Sequence, residues 1–341
     1  QGNSTVIPIE SGFRMKEYHV WGSQVVKQDG KFVMAASIYP ADMDFFTHWL
    51  TNAQVILATS PNITGPFEAG PIILPYHETS NISQPQPWDR SSMNPKLLYH
   101  PHSSSYLLFY TGDTYTGPRP TPANHGADNN EEQASQMIGM AVAKSIMGPY
   151  ERRSAPVLQP RPGKWDSRMV TNPTVIALNN GSLLMIYKAS NPAGANNKQT
   201  QVCFGVALAE TVDSPFLRSR DDPIIPCPTN TFYAEDATLF QLPDGSFHLI
   251  FKDFDGHFTH DGYSGAHAVS LDGLHWNLTS PALAYTTEHM WSDGKMRKQG
   301  HQERPQILLG DDGYPEAIYY ATDTELDGST KKMWNMVQPL R

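Results

Sequence analysis

Cysteine is scarce: Cys203 and Cys227 are the only two in 341 residues. That excludes a disulfide-dense scaffold and argues against a zinc–thiolate centre. The pair reads equally as one disulfide in an oxidising compartment or as two buried thiols. No run approaches the roughly 20 apolar residues of a spanning helix, so no membrane partner is expected. Positive charge is short too. Lys and Arg number 25 against 34 Asp and Glu, a formal net charge of −9, and no basic block occurs. Phosphate backbones need clustered cations, so nucleic acid is excluded as an expected partner. Helical 3.6-residue periodicity of useful length is also missing.

Turn formers are plentiful, with 28 Pro and 25 Gly scattered along the chain. Five N-x-S/T sequons occur, at Asn3, Asn62, Asn81, Asn180 and Asn277. The sequence begins at Gln1 rather than Met. Together these fit a processed, secreted glycoprotein with glycans at some of those sites.

Internal repetition carries most of the information. "WGSQVV" from Trp21, "MNPKLL" from Met93, "TNPTVI" from Thr171, "EDATLF" from Glu235 and "ERPQIL" from Glu303 are five copies of one unit. Each opens with a pair of special residues and continues as an apolar run. Asp29-Gly30, Asn180-Gly181, Asp244-Gly245 and Asp312-Gly313 follow as hairpin dipeptides. A second apolar strand comes next. A third element recurs in "VILATSPNITGPFEAGPIIL", "IGMAVAKSIMGPYERRSAPVL", "FGVALAETVDSPFLRSRDDPII" and "SGAHAVSLDGLHWNLTSPALAY". Four strands repeated five times predict an all-β, five-bladed β-propeller of four-stranded antiparallel blades around a channel. Residues 1–341 then form one domain with blades starting near 21, 93, 171, 235 and 303. The segment before Trp21 is expected to close blade five. A β-sandwich, or two smaller β domains, is the alternative architecture.

The innermost strand of each blade starts at one rim of the channel. The alignment places Trp21-Gly22, Met93-Asn94, Thr171-Asn172, Glu235-Asp236 and Glu303-Arg304 there. This answers why "EDATLF" begins with two acids: they face a cavity rather than a closed core. Acids, amides and a cation at equivalent positions suit a sugar, with carboxyls for proton transfer and amides and Arg for hydroxyls. "PWDRSSMN" and "KWDSRMVTN" repeat a Trp-Asp pair ahead of Asn94 and Asn172. Asp89 and Asp166 therefore join Glu235, Glu303 and Asp236 as candidate catalytic acids. Candidate substrate-binding residues are Trp21, Asn94, Asn172, Arg304, His301, Lys188 and Lys252. Trp88, Trp165 and Tyr233 add aromatic surface near the rim.

Plainer roles stand beside these. Glu303 and Arg304 could pair with each other, Asp236 could cap a strand, and Asp89 and Asp166 could fix turns. Asn94 and Asn172 each precede Pro and could hold loops. His248, His267 and His275 read as structural. No cofactor is required by this chemistry. Ca²⁺ held by Asp236, Asn94 and Asn172 is a possible structural ion at the channel.

"YHVWGSQVVKQDGKF", "PRPGKWDSRMVTNP", "GAHAVSLDGLHW" and "HQERPQIL" resemble the five-bladed propeller glycoside hydrolases of families 43 and 117, over essentially the whole chain. The resemblance implies a carbohydrate substrate and glycosidic cleavage. Family 43 enzymes invert and act on arabinosides, xylosides and galactosides; family 117 cleaves anhydrogalactose-containing algal oligosaccharides. The blade-four acid of family 43 matches Glu235. Its blade-one base matches Gly22, and its blade-three Asp matches Asn172. His301 echoes the His acid of family 117. "SLDGLHW" is one residue short of the sialidase Asp-box and reads as a turn feature.

The expected function is a secreted, exo-acting, inverting glycosidase working on plant or algal polysaccharides. Glu235 is its proton donor and Glu303 its preferred base. Loops 42–49, 115–133 and 255–263 would wall the site. A carbohydrate-binding propeller without activity is the alternative, and a glycan phosphorylase or fructan-type transferase a third option.

Overall fold

A computed structural model describes residues 6–78, 87–115, 117–124, 135–190, 202–226, 234–329 and 332–341. Blade one holds β1 (Tyr18–Gln28), β2 (Lys31–Pro40), β3 (Gln54–Ser60) and β4 (Glu68–Leu74). Blade two holds β5 (Ser91–His100), β6 (Ser105–Asp113), β7 (Met137–Ala143) and β8 (Glu151–Arg152). Blade three holds β9 (Met169–Ala177), β10 (Leu183–Ser190), β11 (Val202–Ala209) and β12 (Leu217–Arg218). Blade four holds β13 (Ala234–Gln241), β14 (Phe247–Asp253), β15 (Gly265–Ser270) and β16 (Asn277–Tyr285). A small hairpin, β17 (Glu288–Met290) and β18 (Met296–Lys298), precedes blade five. That blade holds β19 (Gln302–Leu309), β20 (Pro315–Thr322) and β21 (Trp334–Pro339). All the sheets are antiparallel meanders in chain order. One helical turn, α1 (Phe45–His48), interrupts the β2–β3 loop.

The innermost strands β1, β5, β9, β13 and β19 lie side by side, and β19 returns to β1. This is the predicted five-bladed propeller. Its cohesion comes from five apolar layers, one between each pair of adjacent blades. Leu107 and Phe109 of blade two meet Val175 and Met185 of blade three. Leu308 and Tyr319 of blade five meet Val20 and Met34 of blade one. Strands buried on both faces read as apolar runs, which is why each repeat shows little alternation.

Blade five is completed less regularly than the others. Phe13 pairs antiparallel with Asn335 beside β21, through hydrogen bonds of 2.9 and 3.1 Å. The N-terminal segment thus supplies the expected closure as a single bridge rather than a full strand. Gly12, at φ +87°, is required there because a Cβ would collide with the Asn335 carbonyl.

The Trp-Asp pairs before blades two and three turn out to be blade clamps. Tyr110 donates to Asp89 at 2.6 Å, and Arg152 of β8 contacts the same carboxylate at 3.1 Å. Blade three repeats the device: Tyr187 donates to Asp166 at 3.2 Å and Arg218 of β12 lies at 2.6 Å. Trp88 stacks on Tyr110, and Trp165 stacks on Tyr187. Each acid ties the outermost strand to the second strand of its own blade.

Histidines in blade four are structural, as expected. Ser246 donates to Asp244, so it accepts from His248 Nε2, whose Nδ1 then accepts from His267 Nε2 at 2.9 Å. Burial, then His248, pushes His267 down to about 4. In the unfolded chain its value is near 6.5, so below that pH the unfolded state binds a proton the folded state resists. Stability is therefore expected to fall as pH drops from about 6.5 to about 4, by roughly 1–2 kcal/mol after allowance for partial exposure. Thermal melts across that range should show the slope, and His267→Gln should flatten it. His275 caps the "SLDGLHW" turn with Asp272, whose carboxylate accepts the Leu274 and His275 amides.

Candidate active site

Five equivalent residues shape the rim. Gly22, Asn94, Asn172, Asp236 and Arg304 all have left-handed backbones, with φ between +49° and +57°. The strand register slips at each of them. In a regular strand neighbouring side chains face opposite ways. A bulge breaks that alternation, so both members of each pair can reach the channel. Gly, Asn and Asp tolerate this backbone best, and they fill four of the five positions.

Four of these second members, all but Gly22, join their side chains in a buried ring. Asn94 Nδ2 donates to Asn172 Oδ1 at 2.7 Å, and Asn172 Nδ2 donates to Asp236 Oδ1 at 2.7 Å. Arg304 Nη1 donates to the same Asp236 oxygen at 3.1 Å, and its backbone N–H reaches Asp236 Oδ2 at 3.2 Å. Gly22 leaves room for Arg304: a Cβ there would sit 3.2 Å from Nε and 3.3 Å from Cγ. Burial pushes Asp236 up, yet Arg304, with Lys188 and Lys252, holds it below the usual carboxylate range. Its expected part as a free catalytic acid therefore gives way to a fixed floor charge. One tier below, Lys96 Nζ donates to Gln24 Oε1 at 2.7 Å and sits 3.5 Å from Gln306 Oε1.

Above this floor lies a cavity of about 280 Å³. Trp21, Phe45, Phe46, Trp49 and Phe254 wall it, and Glu235, Glu303, Lys188 and His301 project into it. Nine of the expected site residues line it: Trp21, Asn94, Asn172, Lys188, Glu235, Asp236, His301, Glu303 and Arg304. Three do not. Asp89 and Asp166 are held in the blade clamps, and Lys252 is fully buried behind Glu303. Tyr233 lies outside the described residues. Trp88 and Trp165 belong to the clamps.

The two glutamates are held by one repeated device. Lys188, near the end of β10 in blade three, donates to Glu235 Oε1 of blade four at 3.0 Å. Lys252, near the end of β14 in blade four, donates to Glu303 Oε1 of blade five. Glu303 and Arg304 thus pair with different partners rather than with each other. Burial pushes Glu303 above the usual carboxylate range, and the charges of Asp236 and Glu235 add to this against the pull of Lys252. His301 Nδ1 lies 2.6 Å from Asp323 Oδ2. That hydrogen bond raises the imidazole above its ordinary value.

Phe45, Phe46, Trp49 and Phe254 were not among the expected rim residues. They come from the β2–β3 and β14–β15 loops, two of the three predicted walls. Asp44 fixes α1 by accepting from Thr47 N at 2.9 Å. Phe45 is buried against Trp21, whereas Phe46 stays half exposed beside His301. The apolar spacing "DMDFF" signals a turn but not which Phe faces inward.

The ring oxygens do not fit Ca²⁺. That ion takes about six to eight oxygens, whereas the Asn172 and Asp236 oxygens already accept hydrogen bonds and Arg304 places a positive charge beside them. Among the described residues no group of three His, Cys, Asp or Glu could hold a metal. A larger cavity of about 500 Å³ lies between blades four and five, lined mainly by Ile250, Leu283, Tyr285, Ile307 and Ile318. It lacks opposed carboxyls, so chemistry rather than size identifies the site.

No family model and no curated protein matches this sequence. Solved structures do. A family 117 glycoside hydrolase, Zg3597 from the marine bacterium Zobellia galactanivorans, superposes with a TM-score of 0.64 at 16% identity, covering 99% of this chain and 89% of that one. A thermostable family-43 glycoside hydrolase gives 0.61 at 16% identity, covering 94% and 89%. The GH43_1 enzyme from Xanthomonas citri, solved with xylotriose, gives 0.59 at 13% identity, covering 99% and 90%. The chain has the five-bladed propeller fold of these glycoside hydrolases. The likeness covers nearly the whole of each chain, so the blades correspond throughout rather than in a fragment.

Proposed function

We propose that the chain is a glycoside hydrolase that releases a terminal sugar from a plant or algal oligosaccharide or polysaccharide. The observation that carries this is a blind cavity with two glutamates from adjacent blades facing into it. Its floor is closed by the Asn94–Asn172–Asp236–Arg304 ring, which favours a chain end over an internal unit. The structural neighbours add support, and one of them holds xylotriose.

The roles are the reverse of those expected from sequence. Glu303, whose carboxyl burial pushes above the usual carboxylate range, donates to the leaving oxygen. Glu235, bridged to Lys188, is the carboxylate that activates water. Arg304, Asn94 and Asn172 offer polar groups to sugar hydroxyls, and His301 donates from the wall. Trp21 offers an apolar face. The reading keeps inversion, and no cofactor is needed for it.

Secretion belongs to the same proposal. Cys203 is disulfide-bonded, and the only other cysteine, Cys227, lies outside the described residues. Asn62, Asn180 and Asn277 are exposed and free to carry glycans; Asn3 and Asn81 lie outside the described residues. Gly22, standing where family 43 has its base, favours the binding-propeller alternative. An NMR product screen over arabinosides, xylosides, galactosides and algal oligosaccharides decides between them. Release of a monosaccharide whose first anomer is inverted supports the proposal. Saturable binding of one glycan with no release supports the alternative.

A further inference from the structure

Lys252 has no access to the cavity, so it does not bind substrate. Its surroundings differ from those of its counterpart. Lys188 is partly accessible and lines the cavity. Lys252 is fully buried, with Nζ 4.3 Å from the centre of the Phe254 ring and 5.2 Å from that of Tyr263. Those rings contact each other at 4.9 Å. The loop that carries them is braced by Asp253, whose carboxylate accepts the amides of His257, Phe258 and Thr259 at 2.8–2.9 Å.

We propose that Lys252 is a positioning residue: clamped beneath Phe254 and Tyr263, it fixes the Glu303 carboxyl against the cavity and makes that group's proton affinity depend on the aromatic loop. This rests on reading Glu303 as the proton donor. Glu303 is faced by Lys252 from β14, by Glu235 and Asp236 from β13, by Tyr285 from β16 and by His301 beside its own strand. Lys252 is the one cation among these that touches the Glu303 carboxylate. Away from water its attraction is weakly screened, and the ring faces stabilise the ammonium. Phe254 also lines the cavity, so a sugar resting on it would further dry the Lys252–Glu303 contact.

The test is a carbon-13 NMR titration of glutamate-labelled protein, with the Glu303 resonance assigned from E303Q. Lys252→Met is expected to raise the Glu303 midpoint by about one pH unit or more, since an adjacent cation depresses a carboxyl by about that much. Lys252→Arg should restore most of it, and Lys188→Met should leave Glu303 nearly unmoved. Tyr263→Ala, at an exposed ring, should shift the midpoint by more than about 0.3 unit. The proposal is overturned if Tyr263→Ala, together with any folded Lys252→Met, leaves Glu303 in place. Glycoside turnover is scored separately. A moving resonance without turnover removes only the hydrolase reading; turnover with a fixed resonance removes only the role of Lys252.

Discussion

Glu303→Gln is expected to slow cleavage of natural glycosides by about 10²–10⁴-fold, the usual worth of a positioned proton donor. The loss should shrink sharply on aryl glycosides whose leaving group needs no proton. Glu235→Gln should lose as much on both kinds of substrate, because water attack is needed in either case. This contrast separates the two glutamates, and the structure supplies its basis. Both are bridged by a lysine from the preceding blade. Burial and two neighbouring acids push the Glu303 carboxyl above the usual carboxylate range, against the pull of Lys252. If aryl substrates instead rescue Glu235→Gln and not Glu303→Gln, the roles revert to those read from the sequence.

The pH dependence has a defined sign. A donor must be protonated, so activity carried by Glu303 should decline as pH rises through its elevated value. His301 and Asp323 sit on the same wall, and the Asp323 hydrogen bond keeps the imidazole charged to higher pH than an isolated histidine. His301→Asn should therefore move the alkaline limb of the profile if the imidazolium assists the donor. A role limited to holding a sugar hydroxyl would change KM alone.

How much of this was legible beforehand differs by level. The blades were legible because each must bury both faces of its strands, and that demand writes one apolar pattern five times. The rim pairs were legible for the same reason: they sit at a fixed place in the repeat. What each pair does was not. The left-handed bulge at Gly22, Asn94, Asn172, Asp236 and Arg304 decides which member forms the floor and which reaches the cavity. Gly, Asn-Pro and Asp at the second position were a usable signal for that bulge. The Trp-Asp repeat misled for an instructive reason. Repetition at Asp89 and Asp166 marks a shared structural need, a clamp to Arg152 and Arg218, whereas the two glutamates that line the cavity occur where the repeat varies. The sequence offers Lys252 as a substrate-binding cation, but its cover by Phe254 and Tyr263 comes from a loop with no repeat partner. Loop contacts of that kind are set by tertiary packing and leave no periodic trace.

The floor of the site should be the most sensitive part of the fold. Asp236→Asn is expected to cost about 3–5 kcal/mol, because it strands the Arg304 guanidinium in a ring that is almost wholly buried. Denaturant unfolding of the variant gives the value directly, and loss of less than about 1 kcal/mol would mean that water reaches Arg304 from the cavity. Lys96→Met is expected to behave oppositely. Burial, then Arg304, brings Lys96 down to about 7, so the native chain already bears a penalty for its charge. Between about pH 7 and pH 10 the unfolded lysine keeps a proton that the folded one releases, so native stability should rise with pH in that window. Methionine keeps the volume, removes the charge and leaves the Gln24 oxygen without its donor. The net change at pH 7 should lie within about 1 kcal/mol of zero, and the alkaline rise should vanish. Two substitutions one tier apart thus report on the same axis. The upper cation is neutralised by a carboxylate that the fold cannot lose, while the lower one meets only amide oxygens and is tolerated because it can shed its proton.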